Sequence, residues 1–364
     1  MKSILTFLLL LSFSISQAAT KTLIKVPVSF MEALAPKDTT SSERFQKEYE
    51  FAVQTAKELT REKLKTCGYE ILDEKVLYDA SDNLQALELA KKSETSGTWL
   101  IVGPRRSNHY LLAVKGAPET PSVSIMASSK EVYELNPLHR TLAQSNQKMA
   151  EVLADQTKLR FKDKKTITFA SIVSDDCVSC LDFGSSFSKE AEKLGFRNVI
   201  NRKITGEQPD ISELESIFKN EPPDFVLLPN YSKVSSYLIG KINRWIPKIF
   251  FVGGDGWGDN NYGFVHNSPQ LEGASGMTVK GFPPADKGLN HFKLGKEILK
   301  NPSIASKFPT SGSAQSLIKA IEDTVELLCE HKPKDKAEFK KAFLKSGSVE
   351  CGEVFRTRPS KFTV

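Results

Sequence analysis

The stretch KIFFVGGDGWGDNN, Lys248–Asn261, decides the fold prediction. It opens with the apolar run Ile249–Val252, which is typical of a strand buried on both faces. Glycines follow at once and carry one carboxylate, Asp255, and one indole, Trp257. Glycines let a backbone approach a ligand closely, and open α/β sheets bind ligands at the carboxyl ends of their strands. Asp255 is therefore a candidate contact for a cation such as an ammonium group, although Gly-Asp-Gly also forms ordinary turns.

Short apolar runs alternate with amphipathic helical stretches on both sides of this segment, beginning with a predicted strand at Leu23–Val28. Such alternation predicts βαβ units, parallel sheets and helices on both sheet faces. The pattern restarts near residue 140, and the helices after residue 281 have no partner strands in sequence. The prediction is an α/β fold of two doubly wound parallel-sheet lobes, joined by hinge strands, with a ligand cleft between them. Lobe 1 is expected to comprise residues 19–139 plus 280–350, and lobe 2 residues 140–279 plus 351–364.

The first 18 residues have the pattern of a secretory signal peptide. Lys2 supplies a positive charge, Ile4–Leu11 forms an apolar run, and Ser16–Ala18 ends in the small residues that signal peptidase requires. We expect cleavage near Ala18 and a mature protein exported to the periplasm. The apolar run is too short for a membrane span.

Composition narrows the class of protein. A hydrophobic fraction of 40% over 364 residues supports packed cores and two domains. The net charge of +6 is spread along the chain without a basic stripe, so nucleic-acid binding is not expected. We find no Gly-x-Ser-x-Gly, P-loop or HExxH motif and no metal-ligand cluster. The prediction is a monomeric protein that is not an enzyme and carries no cofactor or metal.

All five cysteines lie in the predicted mature chain, where an oxidising compartment favours disulfides. Cys177 and Cys180 form a CxxC, for which a local disulfide is expected rather than redox chemistry. Cys329 and Cys351 are expected to form a structural disulfide near the C-terminus, which leaves Cys67 unpaired.

Four predicted strand ends carry further polar or aromatic groups. Val102–Asn108 reads VGPRRSN and opens a helix at Ser107, where hydroxyl and backbone N–H groups can bind an anion. Ser124–Ser129 ends in hydroxyls, Leu228–Tyr231 ends in an aromatic ring, and Asp255 follows the fourth strand.

In order and spacing these motifs resemble the type I periplasmic solute-binding proteins of ABC transporters, in the branched-chain amino acid and amide group. The resemblance covers nearly the whole mature chain and includes Val-Gly-Pro-x-x-Ser, Pro121–Ser124 and Leu138–Thr141, where Arg140-Thr141 matches a hinge strand. It implies that the chain captures an amino acid or related small polar ligand between closing lobes and delivers it to an ABC-type permease. A ligand-sensing subunit of a membrane receptor and a non-binding interaction module of the same fold remain alternatives.

The resemblance also implies a set of site residues. Ser107, Ser129 and the backbone of Ala127 would hold the ligand carboxylate, while Phe183 and Tyr231 would pack on the ligand and Asp255 would hold its ammonium group. Trp257 would either stack on the ligand or cap the core.

Two features depart from the family pattern: Phe183 stands where a tyrosine is usual, and Arg105-Arg106 stands where small or apolar residues are usual. Arg105 is included as a candidate that would pair with a ligand carboxylate or phosphate. The alternative is that both arginines point to solvent.

Overall fold

The structure is a computed structural model. It describes residues 22–32, 40–72, 76–80, 82–257, 271, 274–280, 289–309, 311–347, 355–356 and 360–361. The predicted signal peptide and Cys351 lie outside the described residues.

The first lobe is built on a five-stranded sheet in the order β4-β2-β5-β6-β7, in which every pairing is parallel. A separate parallel pair, β1 with β3, lies outside that sheet. The elements in chain order are β1 (Ile24–Val26), β2 (Val28–Glu32), α1 (Thr40–Cys67), β3 (Tyr69–Ile71), β4 (Leu77–Tyr78), α2 (Asn83–Thr95), β5 (Leu100–Val102), α3 (Ser107–Gly116), β6 (Ser122–Ser124), α4 (Lys130–Tyr133) and β7 (His139–Thr141).

The second lobe is built on a parallel run of strands in the order β12-β11-β10-β8-β9, with the short antiparallel strands β13 and β14 beside β12. Its elements are α5 (Asn146–Arg160), β8 (Ile167–Ser174), α6 (Val178–Lys193), β9 (Phe196–Ile204), α7 (Leu214–Asn220), β10 (Phe225–Leu228), α8 (Ser232–Trp245), β11 (Phe250–Gly253), β12 (Ser275–Lys280), β13 (Phe355–Arg356) and β14 (Ser360–Lys361).

Helices cover both faces of each sheet, as the alternating sequence pattern predicts. In lobe 2, α5 and α6 pack on one face through a core that includes Phe169, Phe187 and Phe225, and α7 and α8 cover the other. Phe169 and Phe225 stack with ring centroids 5.3 Å apart on neighbouring strands. The predicted fold class of two doubly wound parallel-sheet lobes is confirmed.

The last helices return to the first lobe. They are α9 (Lys293–Lys300), α10 (Pro302–Ala305), α11 (Gly312–His331) and α12 (Lys336–Lys345). Residues of α9, α11 and α12 share one core with α1 and with strands of the first lobe. The residue limits of the two lobes stay a prediction.

The predicted strand Leu23–Val28 is two strands. Pro27 separates them: it has no backbone N–H for a sheet ladder, and its carbonyl accepts a hydrogen bond from the backbone N–H of Trp99 at 2.9 Å. The chain therefore passes from the small β1–β3 pair into the five-stranded sheet at this residue.

The long disulfide differs from the prediction. Cys329 on α11 pairs with Cys67 at the end of α1, across 262 residues of sequence, so the predicted Cys329–Cys351 pair was wrong. The two helices pack side by side, which brings their ends together, and sequence spacing carries no sign of that contact. Cys177 and Cys180 do form the local disulfide that was predicted.

The Cys67–Cys329 bond should contribute more to stability than the Cys177–Cys180 bond. A cross-link across a long loop restricts the unfolded chain more than one across a short loop, and typical gains are about 2 to 4 kcal/mol. We expect the double variant Cys67→Ser/Cys329→Ser to lose about that much unfolding free energy in urea titrations. Cys177→Ser/Cys180→Ser is the matched control, and an equal loss there would contradict the assignment.

Candidate functional site

The candidate site lies where the strand order of each sheet reverses. In lobe 1 the chain leaves β2 toward β4 on one side and enters β5 on the other. In lobe 2 the same reversal falls between β8 and β10. Loops diverge at such points and leave a crevice at the carboxyl ends of the strands, where open α/β sheets bind ligands. The residues after β2, β5, β8 and β10 therefore define the centre of the site.

A buried ion pair occupies the reversal point of lobe 1. Glu32 ends β2 with its side chain fully buried, and its Oε1 lies 3.0 Å from Nε of Arg105, which follows β5. The Arg105 guanidinium also stacks 4.0 Å from the ring centroid of Phe45. Desolvation lowers the pKa of Arg105, and the Glu32 carboxylate opposes that shift. Arg105 therefore has a partner within its own lobe.

Arg106, the next residue, faces the other lobe. Its guanidinium carbon lies 5.2 Å from the ring centroid of Tyr231, which follows β10 at the reversal point of lobe 2. Burial raises the pKa of the Tyr231 hydroxyl, while Arg106 lowers it and Asp255 raises it further. Arg106 and Asp255 are therefore both close enough to the Tyr231 hydroxyl to act on it electrostatically.

The turn after β6 is held by hydrogen bonds within lobe 1. The hydroxyl oxygen of Ser107 accepts from the backbone N–H groups of Ser128, at 3.2 Å, and Ser129, at 3.3 Å. The backbone N–H of Ala127 donates to Ser124 Oγ at 3.0 Å, and its carbonyl accepts from Thr141 Oγ1 at 2.6 Å. The hydroxyl of Ser107 at the start of α3 thus meets the turn that holds Ala127 and Ser129, and hydrogen bonds within lobe 1 already use the Ser107 hydroxyl and the Ala127 backbone groups.

The hydroxyl of Ser129 is the exception in this turn. Ser129 is fully buried, and its Oγ has no hydrogen-bond partner among the residues that the structure describes. Because Ser129 lies next to Ser107, this hydroxyl is a donor close to the first turn of α3 that has no partner in the described part of the chain.

Asp255 and Trp257 point in different directions: the Trp257 indole is buried, whereas the Asp255 side chain is partly exposed. Both lie in the short 3-10 turn after β11, but the Trp257 indole folds back into the lobe 2 core and donates from Nε1 to the carbonyl of Leu228 at 2.8 Å. Asp255 keeps partial exposure. Of the two roles predicted for Trp257, the buried indole agrees with capping the core, and its contact with a ligand stays a prediction.

Phe183 also lies in the lobe 2 core, and its contact with a ligand stays a prediction. Its ring belongs to the core of lobe 2 and packs beneath Gly254, where an added Cβ would lie 3.4 Å from Cδ2 of the ring. The hydroxyl of Thr278 also donates to the carbonyl of Gly254. Phe183 thus packs under the turn that carries Asp255.

Direct hydrogen bonds join the two lobes beside this site. Asn108 on α3 donates to the carbonyl of Asp176 and accepts from the backbone N–H of Val178, both at 3.1 Å. Ser128 Oγ lies 3.3 Å from Ser179 Oγ. We call this group, together with the contacts of Asp182 below, the inter-lobe contact.

Asp182 on α6 completes the inter-lobe contact. Its Oδ2 accepts from the backbone N–H of Lys130, in lobe 1, and from Asn146 Nδ2, both at 2.9 Å. The Asn146 backbone N–H in turn donates to the Ser128 carbonyl at 2.8 Å. Sequence reasoning missed Glu32, Asn108 and Asp182. A carboxylate directly after the apolar strand Val28–Met31 could have pointed to Glu32, whereas nothing local signals the other two.

The disulfide Cys177–Cys180 lies at the amino end of α6, within this contact. Cys177 is the N-cap residue, and the pair packs with Val173 and with the ring side of Tyr231. This cross-link therefore stiffens the wall of the site in lobe 2.

No group of three or more metal-ligating side chains occurs among the described residues. In the same part of the chain, no helix is both long and apolar enough to cross a bilayer.

Comparison with known proteins supports the fold. No protein-family profile matches the chain. The chain is 27% identical over 202 residues to the Leu/Ile/Val-binding protein BraC3 of Rhizobium johnstonii, and the match spans about half the length of each protein, 53% of both.

Solved structures match over a larger part of the chain. The leucine-binding protein LivK of Thermotoga maritima covers 92% of this chain and 98% of its own, with a TM-score of 0.64 and 14% identity. The substrate-binding protein LivJ of Streptococcus pneumoniae, in complex with isoleucine, covers 90% and 92%, with a TM-score of 0.63 and 14% identity. The chain has the two-lobed fold of type I periplasmic binding proteins, and the resemblance predicted from its sequence is confirmed.

The Glu32–Arg105 pair should be strongly coupled. Removing one partner of a buried pair costs about 3 to 5 kcal/mol, so we expect Arg105→Gln to lower the unfolding free energy by that order. The double variant Glu32→Gln/Arg105→Gln should lose less than the sum of the single losses, as measured by urea titration. Lys65→Gln, which breaks an exposed pair with Glu62 at 2.9 Å, is the control. Additive losses would contradict the coupling.

Asp182 should make stability depend on pH. Burial, the largest effect, raises its pKa above the ordinary 3.8, although the hydrogen bonds from Asn146 and Lys130 oppose the shift. The folded state then holds the proton more tightly than the unfolded state, so this contribution to stability is full below 3.8 and is lost as pH rises through the raised value.

Asp182→Asn removes this pH dependence. We expect the unfolding free energy of the variant, relative to wild type, to increase with pH across that window and then level off, as followed by denaturation between about pH 3 and pH 7. Asp163→Asn, at an exposed position in lobe 2, is the control. A constant difference between Asp182→Asn and wild type would show that burial does not shift this carboxyl.

Proposed function

We propose that this chain is an extracytoplasmic solute-binding protein that captures an amino acid or a related small polar ligand between its lobes and delivers it to an ABC-type permease. The observation that carries the proposal is the pairing of the two reversal points. Arg106, next to Ser107 at the start of α3, lies 5.2 Å from the Tyr231 ring of the other lobe, and Asp255 is close enough to Tyr231 to act on its hydroxyl. One side would therefore offer donors for a carboxylate, and the other a carboxylate for an ammonium group. The relatives are named for leucine, isoleucine and valine, or hold isoleucine, which agrees with such a ligand.

Lobe closure is the proposed mechanism. The ligand docks first on the turn of lobe 1, and Tyr231 and Asp255 then close over it. Closure is a shift in the populations of the open and closed states. The free energy of that shift is the difference between the ligand's binding free energies for the two states. The inter-lobe contact adds a part of the closing free energy that does not depend on ligand.

Other parts of the proposal rest on the sequence. The mature protein would be periplasmic after cleavage near Ala18, would act as a monomer and would have no enzymatic activity. Residues 19–139 plus 280–350 would form lobe 1, residues 140–279 plus 351–364 would form lobe 2, and Arg140-Thr141 would be the first hinge strand.

A thermal-shift screen of the mature protein against the L-amino acids tests the proposal, followed by calorimetry on the compounds that stabilise it. Asp255→Asn keeps the shape of the side chain and removes its charge. We expect amine-bearing ligands to bind this variant about ten- to a hundredfold more weakly, because hydrogen bonds to charged groups contribute about 1.5 to 3 kcal/mol.

Two controls accompany this variant. Asp210→Asn alters an exposed lobe 2 carboxylate, 3.6 Å from Lys241 and remote from the cleft, and should bind as wild type does. Carboxylic acids without an amine, such as 4-methylpentanoate, should bind Asp255→Asn no more weakly than wild type. Undiminished amine binding by Asp255→Asn would contradict the ammonium site, and a screen without any stabilising amino acid would favour the non-binding interaction module.

A further inference from the structure

We propose that Arg106 is the residue that selects for an anionic group on the ligand, and that Arg105 has no part in ligand recognition. The proposal rests on the proposed solute-binding function and specifies it: the ligand would carry a carboxylate that forms an ion pair with the Arg106 guanidinium. The two arginines are adjacent in sequence, but the structure gives them different partners.

Arg105 is neutralised within lobe 1. Its Nε lies 3.0 Å from the fully buried Glu32 carboxylate, and its guanidinium stacks on Phe45. A ligand carboxylate would have to compete with Glu32 for the same donors. Because the Glu32 carboxylate is fully buried, a ligand that displaced it would leave a buried charge without its partner, so the exchange gains little.

Arg106 has no such neutralising partner. Among the described residues it forms no ion pair, and its one close contact is the Tyr231 ring across the cleft, at 5.2 Å. A cation over a phenol ring is weakly held compared with one paired to a carboxylate. The guanidinium can therefore leave the ring, or share it, when an anion enters.

The remaining groups of the turn point to the same assignment. Ser107 Oγ already receives the backbone N–H groups of Ser128 and Ser129, and Ser128 Oγ is bonded to Ser179 of the other lobe. The backbone N–H groups of Ser128 and Ser129 are thus used within the protein. The buried hydroxyl of Ser129, within the turn that Ser107 holds, is left without a partner among the described residues.

The position of Arg106 in the fold and the charges around it also favour an anionic ligand group. Arg106 is the N-cap residue of α3, a helix of 10 residues, and helix amino ends favour anions. Asp255 is near enough to Tyr231 to raise the pKa of its hydroxyl, while Arg106 and, to a smaller extent, Arg105 lower it. Because Arg105 is already paired with Glu32, Arg106 is the cation of this group that has no ion pair among the described residues. A zwitterion with its carboxylate at Arg106 and its ammonium group at Asp255 would balance both charges.

The experiment compares L-amino acids with their amides, which lack the carboxylate charge and keep the ammonium group. Calorimetry would use wild type, Arg106→Gln and Arg106→Lys. We expect wild type to bind the acids more tightly than the amides by about ten- to a hundredfold, as for charge-assisted hydrogen bonds. Arg106→Gln should lose that preference by weakening the acids alone, and Arg106→Lys should retain part of it.

Arg160→Gln is the matched control, because Arg160 also stacks on an aromatic ring, 4.3 Å from Phe250, away from the cleft. It should bind both classes of probe as wild type does. The unfolding midpoint of Arg106→Gln without ligand should stay close to that of wild type, since no ion pair is broken among the described residues.

The outcomes separate this proposal from the proposed function. If wild type and Arg106→Gln bind amino acids equally well, the role of Arg106 is overturned and the solute-binding function stands. If wild type binds only carboxylates without an amine, such as 4-methylpentanoate or benzoate, and Arg106→Gln does not, the amino-acid ligand is overturned and the role of Arg106 stands. If no carboxylate binds wild type, both are overturned.

Discussion

The ion pair between Glu32 and Arg105 is the interaction on which the site depends. It joins the ends of β2 and β5 across the point where the strand order of lobe 1 reverses. Parallel strands that diverge at this point leave a gap, and the fully buried carboxylate needs a cation to be stable there. Arg105 fills that need, and the chain then enters α3 with Arg106 beside the Tyr231 ring of lobe 2.

The surface of lobe 2 on the opposite side of the cleft is built from different groups. Tyr231, the Cys177–Cys180 disulfide and the turn that carries Asp255 form one surface, supported from within by Trp257 and Phe183. Large aromatic rings in the core pack under the glycine turn that carries Asp255. The inter-lobe contact then brings the two walls together along the edge of the cleft.

Sequence reasoning reached the fold and the strand ends, because alternating patterns and glycine turns are local. It placed Asp255 and Tyr231 correctly after β11 and β10, yet it could not tell that Trp257 folds inward, since an indole after a glycine turn fits either direction. Asn108 and Asp182 were not predicted, because their hydrogen bonds join segments of the two lobes that are far apart in sequence. The partner of Cys329 was missed because the side-by-side packing of α1 and α11 joins segments from opposite ends of the chain.

The two disulfides also bear on the order in which the chain can fold. Cys67 appears early as the chain is made, but its partner follows 262 residues later, after all the parallel strands of lobe 2. Cys177 and Cys180 arrive in between as competing thiols. Their separation of only three residues lets them close on each other rapidly, since short loops cost little entropy to form. Once Cys177 and Cys180 are bonded to each other, neither can pair with Cys67 before Cys329 has been made.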